Sequence, residues 1–255
     1  MVVHFMDQLF NHGNLAVIDR FVRPDYIQHN PNSPDGPDAL RRLVTGLRAE
    51  HPQLHVTVQR AIAEGDLVLL HSHSVSEPGD KGDAIVDIFR IQDGRIAEHW
   101  DVIQPVPDTT VSGNDMFSTL SAPQRQWPDP SVSTAASKRV ATAMFNEVTQ
   151  DRDATALDRY AVDPFYQHNP QSPNGTAAAK AFFSSVLENP GFSVSVKRVI
   201  AEGDYVAFHA LYKFAPNDPG NAVLDLYRVR DGKVVEHWDV IQPVPAASAN
   251  DNTMF

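Results

Sequence analysis

Glu98-His99-Trp100-Asp101-Val102-Ile103-Gln104-Pro105-Val106-Pro107 returns without a change as Glu236-His237-Trp238-Asp239-Val240-Ile241-Gln242-Pro243-Val244-Pro245. Identity over such a run marks an internal duplication, and the rest of the chain bears this out. Ile62-Ala63-Glu64-Gly65-Asp66 recurs as Ile200-Ala201-Glu202-Gly203-Asp204, and Tyr26-Ile27-Gln28-His29-Asn30-Pro31 is echoed by Phe165-Tyr166-Gln167-His168-Asn169-Pro170. The chain therefore divides into a first copy over 1–107, a linker over 108–137, a second copy over 138–245 and a tail over 246–255. The linker is rich in Ser, Thr, Pro and Gly, which predicts an extended surface segment. Asn114-Asp115-Met116-Phe117 is echoed at Asn250–Phe255, so the linker begins as the first copy's own tail.

Within a copy, the hydrophobic period changes once. Apolar residues at helical spacing over Val3–Phe10, Leu15–Val22 and Leu40–Leu47 predict three helices. Pro24 closes the second, and Tyr26–Gly36 reads as loop. The first helix has only four residues ahead of Phe5, so it is about a turn shorter than its counterpart: either the start lies upstream or this copy tolerates a short helix. Leu54–Ile62, Leu67–Val75, Ala84–Gln92 and Arg95–Gln104 then read as strands. The last two close around Asp93-Gly94, a strong hairpin signal that returns as Asp231-Gly232. Helices first and an antiparallel sheet after predict an α+β fold, with a cavity between sheet and helices.

The 255 residues carry a formal charge of -11, which disfavours nucleic acid and anionic membrane surfaces as partners. The absence of cysteine excludes disulfides, thiolate catalysis and Cys-ligated metals. No apolar run approaches a membrane span, and the expectation is a cytoplasmic protein. Gly-rich phosphate loops, a Gly-x-Ser-x-Gly elbow and His-Glu-x-x-His are missing, so nucleotide, acyl-enzyme and zinc-protease chemistries lose their usual supports.

The hairpin register decides which polar residues share a face. With Asp93-Gly94 as a two-residue turn, Asp87 falls opposite Trp100, with Phe89, Glu98, Val102 and Gln104 on the same side. Ile88, Arg90, His99 and Asp101 then lie on the other side, unless a bulge intervenes. Asp225 and Trp238, against His237 and Asp239, divide alike. A carboxylate beside Trp in mid-strand is either an acid–base group with a pKa raised by desolvation or a structural aspartate satisfied by backbone or Arg. His71 and His73 share a face at metal-ligand spacing, but the second copy keeps His209 and has Leu211 in place of His73. A set of His29, His71 and His99, repeated as His168, His209 and His237, survives that comparison while needing faces this register does not favour. His29 and Asn30 either close a pocket mouth or build a local turn.

Taken together, the Gln-His-Asn-Pro loop, the strand Asp87-Ile88-Phe89-Arg90 before Asp-Gly, and Glu-His-Trp-Asp-Val-Ile-Gln-Pro-Val-Pro resemble the SnoaL-like group of the NTF2-like superfamily. The resemblance covers each copy almost throughout. It implies two cone-shaped α+β barrels, each with about three helices packed in a curved antiparallel sheet around an apolar pocket. It further implies a polyketide cyclase-like aldol condensation or an isomerisation without a cofactor, with Asp87 and Asp225 matching a pocket aspartate and Trp100 and Trp238 lining the cavity. Asp101 or Asp239 could match the cyclase acid–base residue instead. Such domains often dimerise through the outer sheet face, which makes an intramolecular pseudo-dimer the expectation here.

The resulting assignment gives Asp87, His71, Asp225 and His209 as catalytic candidates. Tyr26, His29, Phe89, Trp100 and Gln104 would bind an apolar small-molecule substrate, as would His168, Tyr227, Trp238 and Gln242 in the second copy. No cofactor or metal is assigned. The alternatives are a non-catalytic ligand-binding protein and a His-ligated metal enzyme.

Overall fold

A computed structural model describes the whole chain, Met1–Phe255. It resolves into two compact units, Met1–Val106 with Pro245–Phe255, and Pro107–Val244. The C-terminal tail thus belongs to the unit of the first copy, while the linker belongs to that of the second. No helix is long and apolar enough to cross a membrane.

In the first unit the helices are α1 (Val2–Met6), which runs on as a π-turn over Asp7–Asn11, α2 (Ala16–Phe21) and α3 (Pro37–Glu50). Pro37 stands in the first turn of α3, where its missing N–H costs nothing, and Leu40 and Val44 face the core one turn apart. The strands are β1 (Val22–Gln28), β2 (His55–Glu64), β3 (Leu67–Val75), β4 (Asp83–Gln92) and β5 (Arg95–Pro105). They form one open sheet in the order β1-β5-β4-β3-β2. Val22–Gln28, expected partly as helix and partly as loop, is an edge strand that runs parallel to β5, so the sheet is mixed and not purely antiparallel. Its burial alternates only at Tyr26 and Gln28, too short a signal to read beside Pro24.

The second unit repeats the plan with α4 (Thr134–Thr149), α5 (Ala156–Tyr160) and α6 (Thr176–Leu187), and β6 (Ala161–Gln167), β7 (Ser193–Glu202), β8 (Tyr205–Lys213), β9 (Asn221–Arg230) and β10 (Lys233–Pro243) in the order β6-β10-β9-β8-β7. Each helical layer closes one apolar core: Phe5, Leu9, Ile18 and Val44 in the first, Met144, Phe145, Leu157 and Phe208 in the second. Asp93 and Asp231 both take positive φ before a positive-φ glycine, the geometry of a type I′ hairpin.

The linker is not a loose surface strap. Met116, Phe117, Thr119 and Ser121 are buried, and Arg228, itself fully buried, donates to the carbonyls of Ser121 and Pro123 and to Asp204. Leu120 and Ser121 donate their backbone N–H groups to the Glu236 carboxylate.

The hairpin register departs from simple pairing at one residue. Gln92 faces Arg95 and Ile91 faces Ile96, but Arg90 faces Glu98, so Ala97 is an unpaired bulge. The bulge turns every later residue of β5 over. Asp87 stands opposite Asp101, Phe89 opposite His99 and Ile88 opposite Trp100. Val235 is the matching bulge in β10, and Asp225 faces Asp239.

Candidate active site

One face of β4 and β5, with β1 and the helices, encloses a cavity of about 320 Å³ in the first unit. Its walls are mostly apolar, from Phe5, Leu40, Leu54, Ile85 and Phe89 among others. Six of its polar residues are joined by hydrogen bonds at one place: Tyr26, Gln28, Asn30, Asp87, His99 and Asp101.

Their hydrogen bonds define the proton inventory. The backbone N–H of Asn30 donates to Gln28 Oε1 at 2.9 Å, which identifies that atom as the oxygen. His99 Nδ1 lies 2.8 Å from the same oxygen and must therefore be its donor. Gln28 Nε2 donates to the Tyr26 hydroxyl at 3.0 Å, completing the orientation of the amide. With Nδ1 committed, His99 Nε2 is the exchangeable position, 3.0 Å from Asp87 Oδ1. That nitrogen and the carboxylate form a hydrogen-bonded pair. Asn30 Oδ1 accepts from the N–H of Asn32, so its Nδ2 donates to Asp101 Oδ2, at 2.6 Å.

Two oxygens remain. Asp87 Oδ2 and Asp101 Oδ1 are buried and have no partner. Two carboxylates this close cannot both ionise cheaply away from water. Burial pushes the Asp101 carboxyl up and the neighbouring Asp87 charge adds to it, against smaller lowering from His99 and Asn30. For His99, burial pulls the pKa down, but the bond to Asp87 and the two nearby carboxylates outweigh it and leave it raised. Burial also drives the Tyr26 phenol far up, helped by Asp101 and Asp87, so it stays protonated.

The second unit repeats five of these six groups, with Phe165 in the place of Tyr26. His237 donates from Nδ1 to Gln167 at 2.7 Å and meets Asp225 at 3.1 Å through Nε2, and Asn169 holds Asp239 at 2.6 Å. Burial pushes Asp239 up to about 6, with the charge on Asp225 adding to it.

Of the residues singled out from sequence, Asp87, Tyr26 and Phe89 line the cavity, and Phe89 lies against the His99 ring with centroids 4.7 Å apart. The register expectation separating Asp87 from His99 and Asp101 is overturned by the Ala97 bulge. The same inversion takes Trp100 and Gln104 to the opposite face, together with Trp238 and Gln242 in the second unit. Trp100 stacks on His29, at 4.8 Å between centroids, and Trp238 on His168. His29 is fixed between the Thr253 carbonyl at 2.5 Å and Glu98 at 2.8 Å, and is turned away because Gln28 and Asn30 take the inward positions of that loop. His71 adjoins Leu70, the partner of Asp87, and so points to the other side, where its Nδ1 meets Arg60 at 2.6 Å. His209 meets Arg198 in the same way. The three-histidine set is therefore not gathered, since His99 faces the cavity while His29 and His71 do not. Tyr227 occupies the place of Phe89 and stacks on His237.

Sequence reasoning missed His99, Asp101, Gln28 and Asn30 as one group. The available signal was the apolar doublet Ile96-Ala97, matched by Val234-Val235, which breaks the alternation of each strand ahead of the motif. Ligand atoms of Asp87, His99 and Asp101 lie within 4.8 Å of one another, as do those of Asp225, His237 and Asp239, a two-carboxylate, one-imidazole set that could also hold a divalent ion.

Comparison with known proteins now bears on this geometry. Residues 1–108 match the family model described as SnoaL-like polyketide cyclase, and residues 141–237 match the SnoaL-like domain model. Among solved structures, TsrD from Streptomyces laurentii is 23% identical over 40% of this chain and 84% of its own, with a TM-score of 0.35. An NTF2-like protein from Mesorhizobium loti is 21% identical over 45% of this chain and 97% of its own, with a TM-score of 0.41. No curated protein sequence matches. The chain belongs to the SnoaL-like family, as two domains in tandem over residues 1–108 and 141–237.

Proposed function

We propose that the first copy is a cofactor-free acid–base catalyst acting on an apolar carbonyl compound, through enolisation followed by aldol cyclisation or isomerisation. The supporting observation is the pair of unpartnered, buried carboxylate oxygens, on Asp87 beside His99 and on Asp101 beside Asn30, at the polar end of an apolar cavity. In this reading Asp87, accepting a hydrogen bond from His99 Nε2 on Oδ1, takes the proton next to the carbonyl onto its unpartnered Oδ2. Asp101, whose protonated form burial favours, donates a hydrogen bond to the developing enolate oxygen. Gln28 holds His99 in one tautomer, and the apolar wall excludes water.

The test is deuterium exchange at C1 of 2-tetralone, an apolar ketone of suitable size. The protein should accelerate exchange over buffer, and Asp87→Asn should remove the acceleration. Exchange equal in wild type and Asp87→Asn would defeat the acid–base reading. Binding of 2-tetralone without any exchange would favour the second reading, a ligand-binding protein, for which the apolar cavity alone is sufficient. Metal-assisted chemistry through Asp87, His99 and Asp101 is the third, and it predicts exchange that rises on adding a divalent ion and falls with chelator.

A further inference from the structure

The two copies share Gln28, Asn30, Asp87, His99 and Asp101 with Gln167, Asn169, Asp225, His237 and Asp239; the first adds the Tyr26 hydroxyl on Gln28, and the two differ in what approaches the first carboxylate. In the second unit, the Tyr212 hydroxyl donates to Asp225 Oδ2 at 2.8 Å. The equivalent oxygen of the first unit, Asp87 Oδ2, has no partner. The residue that corresponds to Tyr212 is Ser74: Tyr212 pairs with Asn221 across β8 and β9, and Ser74 with Asp83 across β3 and β4, in the same register. Ser74 lines the cavity of the first unit.

The neighbours of Tyr212 have changed in step. Leu54 and Ser76, both on the cavity wall of the first unit, correspond to Phe192 and Phe214 in the second. Phe192 packs edge-on to Tyr212 at 6.1 Å and lies 5.5 Å from Phe214. The Tyr212 ring belongs to the buried core of its unit, with Phe192, Phe208 and Tyr227. An aromatic wall thus holds a phenol against the carboxylate where the other copy offers empty space and a short hydroxymethyl.

We propose that Tyr212 is a built-in ligand of the second site, which closes that copy and leaves the first as the one site in the chain open to a ligand carrying a phenol-like hydroxyl. Burial raises the phenol pKa well above its ordinary value, and the Asp225 charge raises it further, so the hydroxyl remains a donor throughout the neutral range. The second copy then keeps the constellation as a filled, structural one. This inference rests on the cavity reading above but not on its chemistry, because it concerns occupancy alone.

The experiment is a titration of the full chain with p-cresol, the Tyr side chain in free form, followed by calorimetry and by NMR. Wild type should bind one equivalent and Tyr212→Ser two, the second with broadening of signals around Asp225. Two equivalents in wild type, none in wild type, or one in a folded Tyr212→Ser variant would each overturn the proposal. Should Tyr212→Ser fail to fold, Tyr212→Phe keeps the ring and loses only the donor. The carboxyl carbon signal of Asp225 should then shift while that of Asp87 stays unchanged, and an unmoved Asp225 signal would refute the built-in ligand. Exchange on 2-tetralone reads a different property: its absence, with the one-to-two change in stoichiometry intact, would remove the catalytic reading and keep this one.

Discussion

Asp87 and Asp101 stand directly opposite one another on β4 and β5, with His99 bonded to the first and Asn30 to the second. Their apposition sets both carboxyls against the same point of the cavity. Single substitutions Asp87→Asn and Asp101→Asn should each lower exchange on 2-tetralone by about 10²-fold or more. The double variant should lose little beyond the worse single one, because the groups act in a single proton transfer. Multiplicative losses would show independent roles instead.

Gln28 should matter although it offers the cavity no acid or base. Its carbonyl oxygen fixes the His99 Nδ1–H tautomer. Gln28→Met should leave the ring free to populate both tautomers, visible in the imidazole nitrogen shifts. The rate should fall roughly 10-fold, less than the loss expected for an acid–base group itself, because Gln28 only positions the ring. A single Nδ1–H tautomer persisting in that variant would contradict the assignment.

Asp239 sets a pH dependence of stability. Its folded pKa of about 6 lies above the ordinary 3.8, so the folded chain holds that proton more tightly than the unfolded chain does. Stability contributed by the bound proton is complete below the unfolded value and is lost as pH rises through about 6, a loss of about 3 kcal/mol. His237, also raised, works in the same direction above 6.5. Asp239→Asn should therefore stabilise the second unit at pH 7.5 and flatten the difference between pH 4 and pH 7, measured by urea denaturation at each pH. A variant less stable than wild type at pH 7.5 would reverse the sign of the argument.

The tail anchors the loop that carries Gln28. Asn252 Nδ2 donates to the Gln28 carbonyl and to Asp35, Asn250 Nδ2 to the carbonyls of Asn30 and Ser33, and Met254 is buried. Removing 249–255 should speed amide hydrogen exchange over 22–35 and leave 161–175 unchanged. Asn114→Ala should do the converse, because Asn114 Nδ2 donates to the Gln167 carbonyl and to Asn174. Equal effects on both loops would break the correspondence.

Gly82, at φ +71°, offers a sterically closed position: a Cβ there would sit 2.0 Å from the Ser74 carbonyl oxygen. The backbone has to move, and β3 with it. Gly82→Ala should destabilise the first unit by about 2–3 kcal/mol, from strain and displaced packing together. An unchanged urea midpoint would show that the β3–β4 connection yields freely.

Much of the architecture was legible in the chain. The repeat, the helices-then-strands order, the two Asp-Gly hairpins and the placement of Asp87 in a strand follow from identity, period and turn chemistry, which are local properties. Val22–Gln28 was not legible as a strand, because a short edge strand containing Pro24 has few positions whose burial alternates. The membership of His99 and Asp101 in the site was hidden for a different reason. Strand side chains alternate with period two, so the single extra residue at Ala97 exchanges the faces of everything after it. Hydrophobic patterning normally selects between such registers by setting a wet face against a dry one. Here Trp100 and Asp101 are both buried, on opposite faces, and the pattern has no wet side to choose. The sequence by itself determined two like α+β domains and their hairpins. Only the tertiary structure, by placing the bulge, decided which carboxylates meet across the sheet, because both faces of β5 are covered.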